Sequence, residues 1–580
     1  MTTSQGDTAG GAQMLTALVR LRGALQAAAL PLDGPGVEEQ RAARAALVDQ
    51  LEDYVIPRVI AAEAPMLVVV GGSTGAGKST LVNSLVGRRV TQPGVLRPTT
   101  RSPVLVHHPD DLEWFGQDRM LPDLRRVDHV TDDQDALQLV AADSVPRGLA
   151  LLDAPDVDSV EERNRTLAAQ LLAAADMWLF VTSAARYADQ VPWEQLKAAA
   201  QRSAAVAVVL DRTAEDAVQT VSTHLARMLA SRGLKDSPLF VVPDATVDDE
   251  GLLPPGHVAE IRAWLESLAA DSGARDDVVS QTLEGTVRSI AQRTHPVADA
   301  AAQQAAAVAE LRVDVEETYD EAAGALGRAC VDGSLLRGEV LARWQDLVGT
   351  GELLRGLEDK VGWIRDRVVN AVKGRPQQAD RVSVAIESAL EVLVLERAET
   401  AAELVAARWR AHPAGESALA GAAGLGRASR ELRRAAERAA RDWQQDVTEL
   451  VRAQGADKRT AKFLALGVQG LTVALMVVTL DQDASSAPSA SSSSSSSASG
   501  RALLDAVFGA DVVAGLVDRA RDRLDLRTAG LLESERGRWT AYLDGLGVDP
   551  DLDTQLREAA RRVDDARFAA QSGRNGPAHD

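Results

Sequence analysis

A short apolar run that leads into a glycine-rich turn constrains this chain more than any other feature. The run is Met66–Val70, the turn reads Gly71-Gly-Ser-Thr-Gly-Ala-Gly-Lys-Ser-Thr80, and apolar residues continue at helical spacing to Leu85. Consecutive β-branched residues are typical of a buried parallel strand. The sequence therefore predicts a strand, a tight loop and a helix in immediate succession.

The turn fits the pattern GxxxxGK[ST] through Gly72, Gly77, Lys78 and Ser79. In such a loop backbone N–H groups surround a phosphate, the lysine supplies charge to the β- and γ-oxygens, and the hydroxyl binds Mg²⁺. A chance glycine-rich turn would lack the flanking strand and helix. We therefore predict a nucleotide-binding loop in which Lys78 is catalytic and Ser79 is a metal ligand. Its predicted members are Gly72, Ser73, Thr74, Gly75, Ala76, Gly77, Lys78, Ser79 and Thr80.

Short apolar runs of the same kind recur downstream of the loop. They lie at 104–107, 149–152, 178–181, 206–210 and 239–242. Strands that alternate with segments long enough for a helix are typical of a doubly wound α/β domain. We predict a mostly parallel sheet with flanking helices over residues 64–272.

The remainder of the chain has helical periodicity. Aromatic residues make up only 3% of the 580 residues, which disfavours an all-β fold. We predict N-terminal helices over 1–63 that pack with a long all-α stalk at 273–462. C-terminal helices are predicted over 501–570, and a disordered tail over 571–580.

Residues 463–480 contain no charged side chain, and residues 481–500 are dominated by serine. As a helix the first segment is about 27 Å long, close to the roughly 30 Å hydrocarbon core of a bilayer. We predict that it associates with the membrane, as a span or as a shallow insertion, with a buried core helix as the open alternative. The second segment is predicted to be a flexible linker. The basic residues at 458–462 place the phosphate-loop domain on the cytoplasmic face.

The overall charge bears on partners and compartment. The chain has 63 Lys+Arg against 84 Asp+Glu, a net charge of −21. No nucleic-acid partner is expected, because nothing global attracts a phosphate backbone. The single cysteine, Cys330, cannot form an internal disulfide, which favours a cytoplasmic location.

Two motifs resemble the GTPase branch of phosphate-loop proteins. Ser79–Leu85 is similar to KSTLxNxL, and Leu151-Leu-Asp-Ala-Pro-Asp156 has the form of a strand followed by DxPG. The resemblance implies that Asp153 holds Mg²⁺ through water. Asp156 replaces the glycine whose N–H contacts the γ-phosphate, and its carboxylate is expected to repel that phosphate. The alternative for Asp153 is an aspartate that caps a helix.

Val95-Leu-Arg-Pro-Thr-Thr-Arg-Ser-Pro-Val104 contains Thr-Arg-x-Pro ahead of a strand. Within a phosphate-loop domain framed by helices, this resembles the dynamin superfamily and particularly its bacterial members. The resemblance implies that Thr100 is the catalytic switch threonine and completes the magnesium shell, with Thr99 as the second candidate. A polar loop stiffened by two prolines is the other reading.

The base-reading motif departs from the GTPase pattern. Asp211-Arg-Thr-Ala214 stands where GTPases have [NT]KxD. Asp211 takes the Asn/Thr position, Arg212 is suited to stack on the base, and Ala214 replaces the aspartate that reads guanine. Val242–Thr246 is placed to close the base pocket. We therefore expect GTP as substrate without excluding ATP.

The resemblance implies an α/β P-loop GTPase domain joined to a helical stalk with a membrane-binding segment. It implies a Mg²⁺-dependent, dynamin-like GTPase that self-assembles through the GTPase domain or stalk and acts on membrane lipid. Thr74-Gly75 stands where dynamins commonly have Gln-Ser. Turnover is therefore expected to be slow, or to need groups supplied by a second copy. The alternative is a nucleotide-binding regulatory or scaffold protein with little hydrolysis and no membrane insertion.

Overall fold

The structure, a computed structural model, describes residues 3–92, 102–117, 119–159, 161–201, 205–348, 376–455, 461–481 and 492–574. The chain forms two units. The first contains Met1–Leu30, Pro35–Gln303 and Asp549–Asp580, and the second contains Pro31–Gly34 and Gln304–Val548.

An eight-stranded sheet forms the centre of the first unit. Its strands are β1 (Met66–Gly72), β2 (Val104–His107), β3 (Arg125–Val127), β4 (Ala136–Ala141), β5 (Leu149–Asp153), β6 (Met177–Ser183), β7 (Ala205–Thr213) and β8 (Leu239–Pro243). Their order is β3-β4-β2-β5-β1-β6-β7-β8. All neighbours are parallel except β2 and β5, which are antiparallel. The predicted mostly parallel sheet is confirmed.

Every residue of the central strands β1, β5 and β6 is buried, which means that helices cover both faces of this sheet. The helices are α1 (Thr3–Ala27), α2 (Val37–Gln50), α3 (Ile56–Ile60), α4 (Lys78–Val86), α5 (Glu162–Ala173), α6 (Gln190–Gln201), α7 (Val218–Ser231), α8 (Pro255–Ala270) and α17 (Leu552–Arg574). A π-helical turn, Leu51–Val55, joins α2 to α3, and a 3₁₀ helix covers Pro109–Phe115. The long helix α9 (Ser272–Val331) begins in this unit.

Strand β1 lies between β5 and β6, with Val70 beside Asp153 and Gly72 beside Val181. The carboxyl ends of parallel strands meet at one edge of a sheet, where open α/β sheets bind their ligands. The loop after β1 and the residues that follow β5, β6 and β7 are therefore gathered at this edge.

The N-terminal helices belong to the unit that contains the sheet, and their packing with the stalk stays a prediction. A buried polar cluster around Asp176 joins the end of this segment to the sheet. Its carboxylate forms an ion pair with Arg58 and accepts hydrogen bonds from Tyr54 Oη at 3.0 Å and Leu67 N at 2.7 Å. This cluster fixes α3 to the start of β1 and β6.

The second unit is helical in its described part. It contains the rest of α9, then α10 (Glu339–Val348), α11 (Pro376–Ala411), α12 (Gly415–Gly421), α13 (Leu432–Gly455), α14 (Ala461–Thr479), α15 (Ser492–Phe508) and α16 (Ala510–Gly545). The predicted helical character of the stalk is confirmed. The predicted tail is helical as far as Arg574, and its last six positions, 575–580, lie outside the described residues.

Helix α14 carries most of the uncharged segment 463–480. Residues 471–480 are all buried among the helices of the second unit, after a kink at Gly467. Within the described ranges, no helix is both long and apolar enough to cross a membrane. For 471–480 the structure thus matches the core-helix alternative rather than a membrane span.

The predicted linker 481–500 is partly helical, because α15 begins at Ser492. Residues 482–491 of this segment lie outside the described part of the chain. Ser497 is buried and donates to Asp481 Oδ2 at 2.5 Å, and Gly500 packs against Val478. Serine and glycine are small enough to let α15 approach α14 closely, which serine-rich composition alone does not reveal.

The Asp176 cluster predicts a large loss of stability when its carboxylate is removed. In Asp176→Leu, Arg58 stays buried without its counter-charge, and we expect the opening free energy of the β1 amides to fall by about 3–5 kcal/mol. Hydrogen exchange of these amides measures the change. The exposed pair of Asp135 and Arg163 is the control, because Asp135→Leu removes a surface ion pair that contributes little to stability. Equal changes in both variants would contradict the structural role of Asp176.

Candidate functional site

The loop after β1 makes a tight turn that depends on two glycines. Gly72 and Gly77 have φ of +148° and +98°, which L side chains rarely adopt. A Cβ on Gly72 would lie 2.0 Å from the carbonyl of Val181, and one on Gly77 would lie 2.0 Å from Asp211 Oδ2. Both glycines are therefore required, and the loop leads directly into α4 at Lys78, as predicted.

Lys78 is buried beneath this loop. Its Nζ donates to the carbonyls of Gly72 and Ser73 at 3.1 Å each and forms an ion pair with Asp156. The side chains of Lys78 and Asp156 are only 4% and 6% exposed. The carboxylate that the sequence places near the phosphate thus contacts the lysine that would bind that phosphate.

Asp153 ends β5 and is fully buried. Neither of its carboxylate oxygens has a hydrogen-bond partner of normal geometry in the described part of the chain. Burial raises the pKa of Asp153 to about 6, and the adjacent hydroxyls of Ser79 and Thr91 and the charge of Lys78 oppose this rise. A hard cation prefers such an oxygen-only donor set, so these residues fit Mg²⁺.

Thr91 is a residue that the sequence analysis missed. Asn83 holds it in place: its Oδ1 accepts from Val90 N at 2.8 Å and Thr91 N at 2.9 Å, and its Nδ2 donates to Thr91 O. Nothing in the sequence around Thr91 identifies it, although Asn83 is the asparagine of KSTLxNxL. Thr99 and Thr100, predicted for the switch, lie outside the described residues.

A second carboxylate of the segment after β5, that of Asp158, also contacts the loop. Its Oδ1 accepts from Thr74 N at 2.6 Å and Thr74 Oγ1 at 2.8 Å, and its Oδ2 accepts from Arg186 at 2.8 Å. Neither Asp158 nor Arg186 was predicted. The signals were faint: Asp158 is two positions after Asp156, and Arg186 is the first basic residue after β6.

The predicted base-contacting residues lie beside the same loop. Asp211 is buried with Oδ2 against Gly77, and its Oδ1 accepts from Arg212 N at 2.8 Å. Burial raises the pKa of Asp211 to about 6, while Arg212 lowers it and the charge of Asp244 adds to the rise. Arg212 has φ of +50°, a strained value for a residue with a side chain.

The remaining loop residues have mainly backbone roles in the structure. Ser73 O accepts from Ala76 N at 3.1 Å as well as from Lys78, and Thr80 O accepts from Ser84 Oγ at 2.7 Å. The structure therefore brings together the predicted loop, Asp153, Asp156, Asp211 and Arg212.

Comparison with known proteins assigns the domain. Residues 68–212 match the Dynamin family. This P-loop domain belongs to the dynamin superfamily. The match covers the whole site, from the buried part of β1 to Arg212.

One relative is the "Probable transmembrane GTPase FZO-like, chloroplastic" of Arabidopsis thaliana, 30% identical over 132 residues. The match covers 23% of this chain and 13% of the length of that protein. A chain of an oligomerised bacterial dynamin pair, described in terms of long-range sensing and tethering of membranes, aligns at 9% identity and TM-score 0.35 over 92% of both chains. LeoA, a bacterial dynamin GTPase from ETEC, aligns at 11% identity and TM-score 0.23 over 98% of this chain and 99% of LeoA.

The ion pair of Asp156 with Lys78 predicts a variant that binds nucleotide more tightly. Asp156→Asn removes the competing negative charge, so triphosphate affinity should rise about tenfold, in line with about 1.5–3 kcal/mol for a charge-assisted hydrogen bond. Titration with a fluorescent nucleotide measures this. Asp156→Glu and the exposed Asp236→Asn should leave affinity near wild type. Weaker binding by Asp156→Asn would show that Asp156 supports the nucleotide instead.

Proposed function

We propose that this chain is a dynamin-like GTPase that binds GTP with Mg²⁺ and hydrolyses it slowly. The observation that carries this proposal is the arrangement at the edge of the sheet, where the loop of Gly72–Ser79 and the buried Asp153 lie together in a domain of the dynamin superfamily. Lys78 and the loop amides bind the phosphates, and Asp211 and Arg212 border the base.

The residues around the buried carboxylate would hold Mg²⁺ for the bound phosphates. Ser79 would hold the ion through its hydroxyl and Asp153 through water, with Thr100 as the proposed switch ligand. Bound Mg²⁺ would neutralise charge on the phosphate oxygens. Lys78 would hold the phosphate oxygens. Asp153 lies at the end of a rigid strand and would fix the position of the Mg²⁺ ligands.

We further propose that nucleotide turnover is coupled to self-assembly through the GTPase domain or stalk and to membrane association on the cytoplasmic face. Support comes from the dynamin-family match and from the uncharged segment 463–480. Because residues 471–480 are buried, this segment would have to leave its core to reach lipid.

That burial favours a second candidate function. A nucleotide-binding regulatory or scaffold protein, with GTP or ATP as ligand, needs no exposed apolar segment. The absence of the base-reading aspartate at Ala214 is also compatible with such a protein, because regulation by bound nucleotide does not depend on rapid or guanine-selective turnover.

Nucleotide binding tests the first part of the proposal. Lys78→Ala should lose GTP affinity by several kcal/mol, since it removes a charged contact made in a dry site, while the fold is retained. Calorimetric titration with GTP and ATP, with and without Mg²⁺, gives the affinities. The exposed Lys197→Ala is the matched control. If Lys78→Ala binds as tightly as wild type, the phosphate-loop assignment is wrong.

Base selectivity follows from the residue at position 214. With alanine there, we expect wild type to discriminate GTP from ATP by only about tenfold, because the missing hydrogen bonds are worth on the order of 1–3 kcal/mol. Ala214→Asp should sharpen the preference for guanine in competition binding. Strong selectivity in wild type would mean that another group reads the base, and Asp244, whose N donates to Thr213 O at 3.1 Å, would be tested next.

A reversible crosslink tests the membrane role. Val478→Cys with Gly500→Cys, in a Cys330→Ser background, joins α14 to α15, where a Cβ on Gly500 would lie 3.1 Å from Val478 Cγ2. If α14 leaves its core to reach lipid, the reduced protein should float with anionic liposomes and GTP, and the oxidised protein should not. Equal flotation would exclude this segment as the anchor. Flotation of neither form would support the scaffold alternative.

A further inference from the structure

Arg186 lies beside the phosphate loop in a turn built directly on the sheet. Strand β6, which precedes it, pairs with β1 at the start of the loop, with Val181 beside Gly72. Arg186 N and Tyr187 N both donate to Ser183 O at 2.9 Å, so the turn is closed by two hydrogen bonds. The backbone that carries this guanidinium is therefore fixed relative to the loop.

One carboxylate separates the guanidinium from the loop. Asp158 binds Thr74 N and Oγ1 through Oδ1 and Arg186 through Oδ2. The Asp158 side chain is 13% exposed and that of Arg186 is 30% exposed, so the ion pair is partly shielded from solvent. Thr74 is the position at which dynamins commonly have glutamine, and the sequence alone shows no replacement for it.

The charges around the loop need a further cation. Four carboxylates, those of Asp153, Asp156, Asp158 and Asp211, lie in or next to it. Phosphoryl transfer spreads additional negative charge over the γ-phosphate oxygens, and cations that stabilise this charge supply most of the catalysis. Lys78 and Mg²⁺ have proposed roles at the phosphates and Arg212 at the base, and an arginine beside the loop would add a cation for the charge that develops in the transition state.

We propose that Arg186 is a catalytic arginine that this chain supplies to its own site, and that Asp158 is its positioning residue. The assignment rests on the proposed GTPase function. Water attacks the γ-phosphorus as the bond from that phosphorus to the β–γ bridging oxygen breaks, and the products are GDP, inorganic phosphate and a proton. Arg186 donates to the γ-phosphate oxygens in the transition state, while Asp158 holds the guanidinium beside the loop through its own contacts with Thr74.

Single-turnover hydrolysis of Mg²⁺-GTP by the full chain tests the assignment. Arg186→Ala should slow hydrolysis by about 100-fold or more, while the Kd for GTP changes by less than about threefold. Arg186→Lys should recover part of the rate, because it restores the charge without the planar fork. Arg163→Ala, which removes another arginine of the domain from an exposed ion pair, should hydrolyse at the wild-type rate.

Two further readouts separate catalysis from structural support. Wild type should trap GDP with aluminium fluoride and Mg²⁺, and Arg186→Ala should not, since only the transition-state geometry requires the arginine. Asp158→Asn should lower the rate with little change in the Kd for GTP. At a protein concentration at which the chain is monomeric, Arg186→Ala should still hydrolyse more slowly than wild type, because the arginine acts within one chain.

The outcomes distinguish this assignment from the proposed function. Wild-type turnover with equal turnover by Arg186→Ala overturns only the role of Arg186. A parallel loss of rate and affinity in Arg186→Ala overturns it too, because the residue would then bind the ground state. Wild type that binds GTP and never hydrolyses it overturns the hydrolytic function itself, and the assignment falls with it.

Discussion

An excess of negative charge at the edge of the sheet is the constraint on which the chemistry of this protein depends. The parallel strands β1, β5, β6 and β7 all end there, and Asp153, Asp156, Asp158 and Asp211 lie at the ends of these strands or in the segments that follow them. A polyphosphate brings still more negative charge to this place. Binding therefore requires that Mg²⁺ and the basic side chains of the loop neutralise the site, or that a carboxylate moves away.

The contacts already present show how the chain partly solves this problem. Two cations at the site are held by carboxylates, Lys78 by Asp156 and Arg186 by Asp158. Buried charges persist when they are paired. The same pairs hold the cations near their working positions, so a phosphate that displaces a carboxylate meets a cation that is already placed. Asp153 differs, because neither of its carboxylate oxygens has a hydrogen-bond partner of normal geometry in the described part of the chain and burial raises its pKa.

Much of this site could be predicted from local sequence patterns. A glycine-rich turn between a β-branched run and an apolar helix leaves few other structures, because glycine alone permits the backbone angles at Gly72 and Gly77. The position of Asp153 at the end of β5 was predictable because Leu151–Asp156 resembles a strand followed by DxPG. Thr91, Asp158 and Arg186 were not, because each reaches the site through a contact with a residue distant in sequence. The polar cluster of Arg58 and Asp176 joins positions 118 residues apart and likewise has no local signature.

For segment 463–480 the sequence pattern cannot distinguish a core helix from a membrane helix, and the reason is physical. A helix that is apolar on all sides is stable in a protein core or in a membrane, since both exclude water. Its own residues therefore cannot choose between the two. In the described structure the choice is made by its neighbour α15, whose small residues, Ser497 and Gly500, permit close packing against the end of α14. The serine-rich composition that predicts a linker is here the feature that lets two helices share a core.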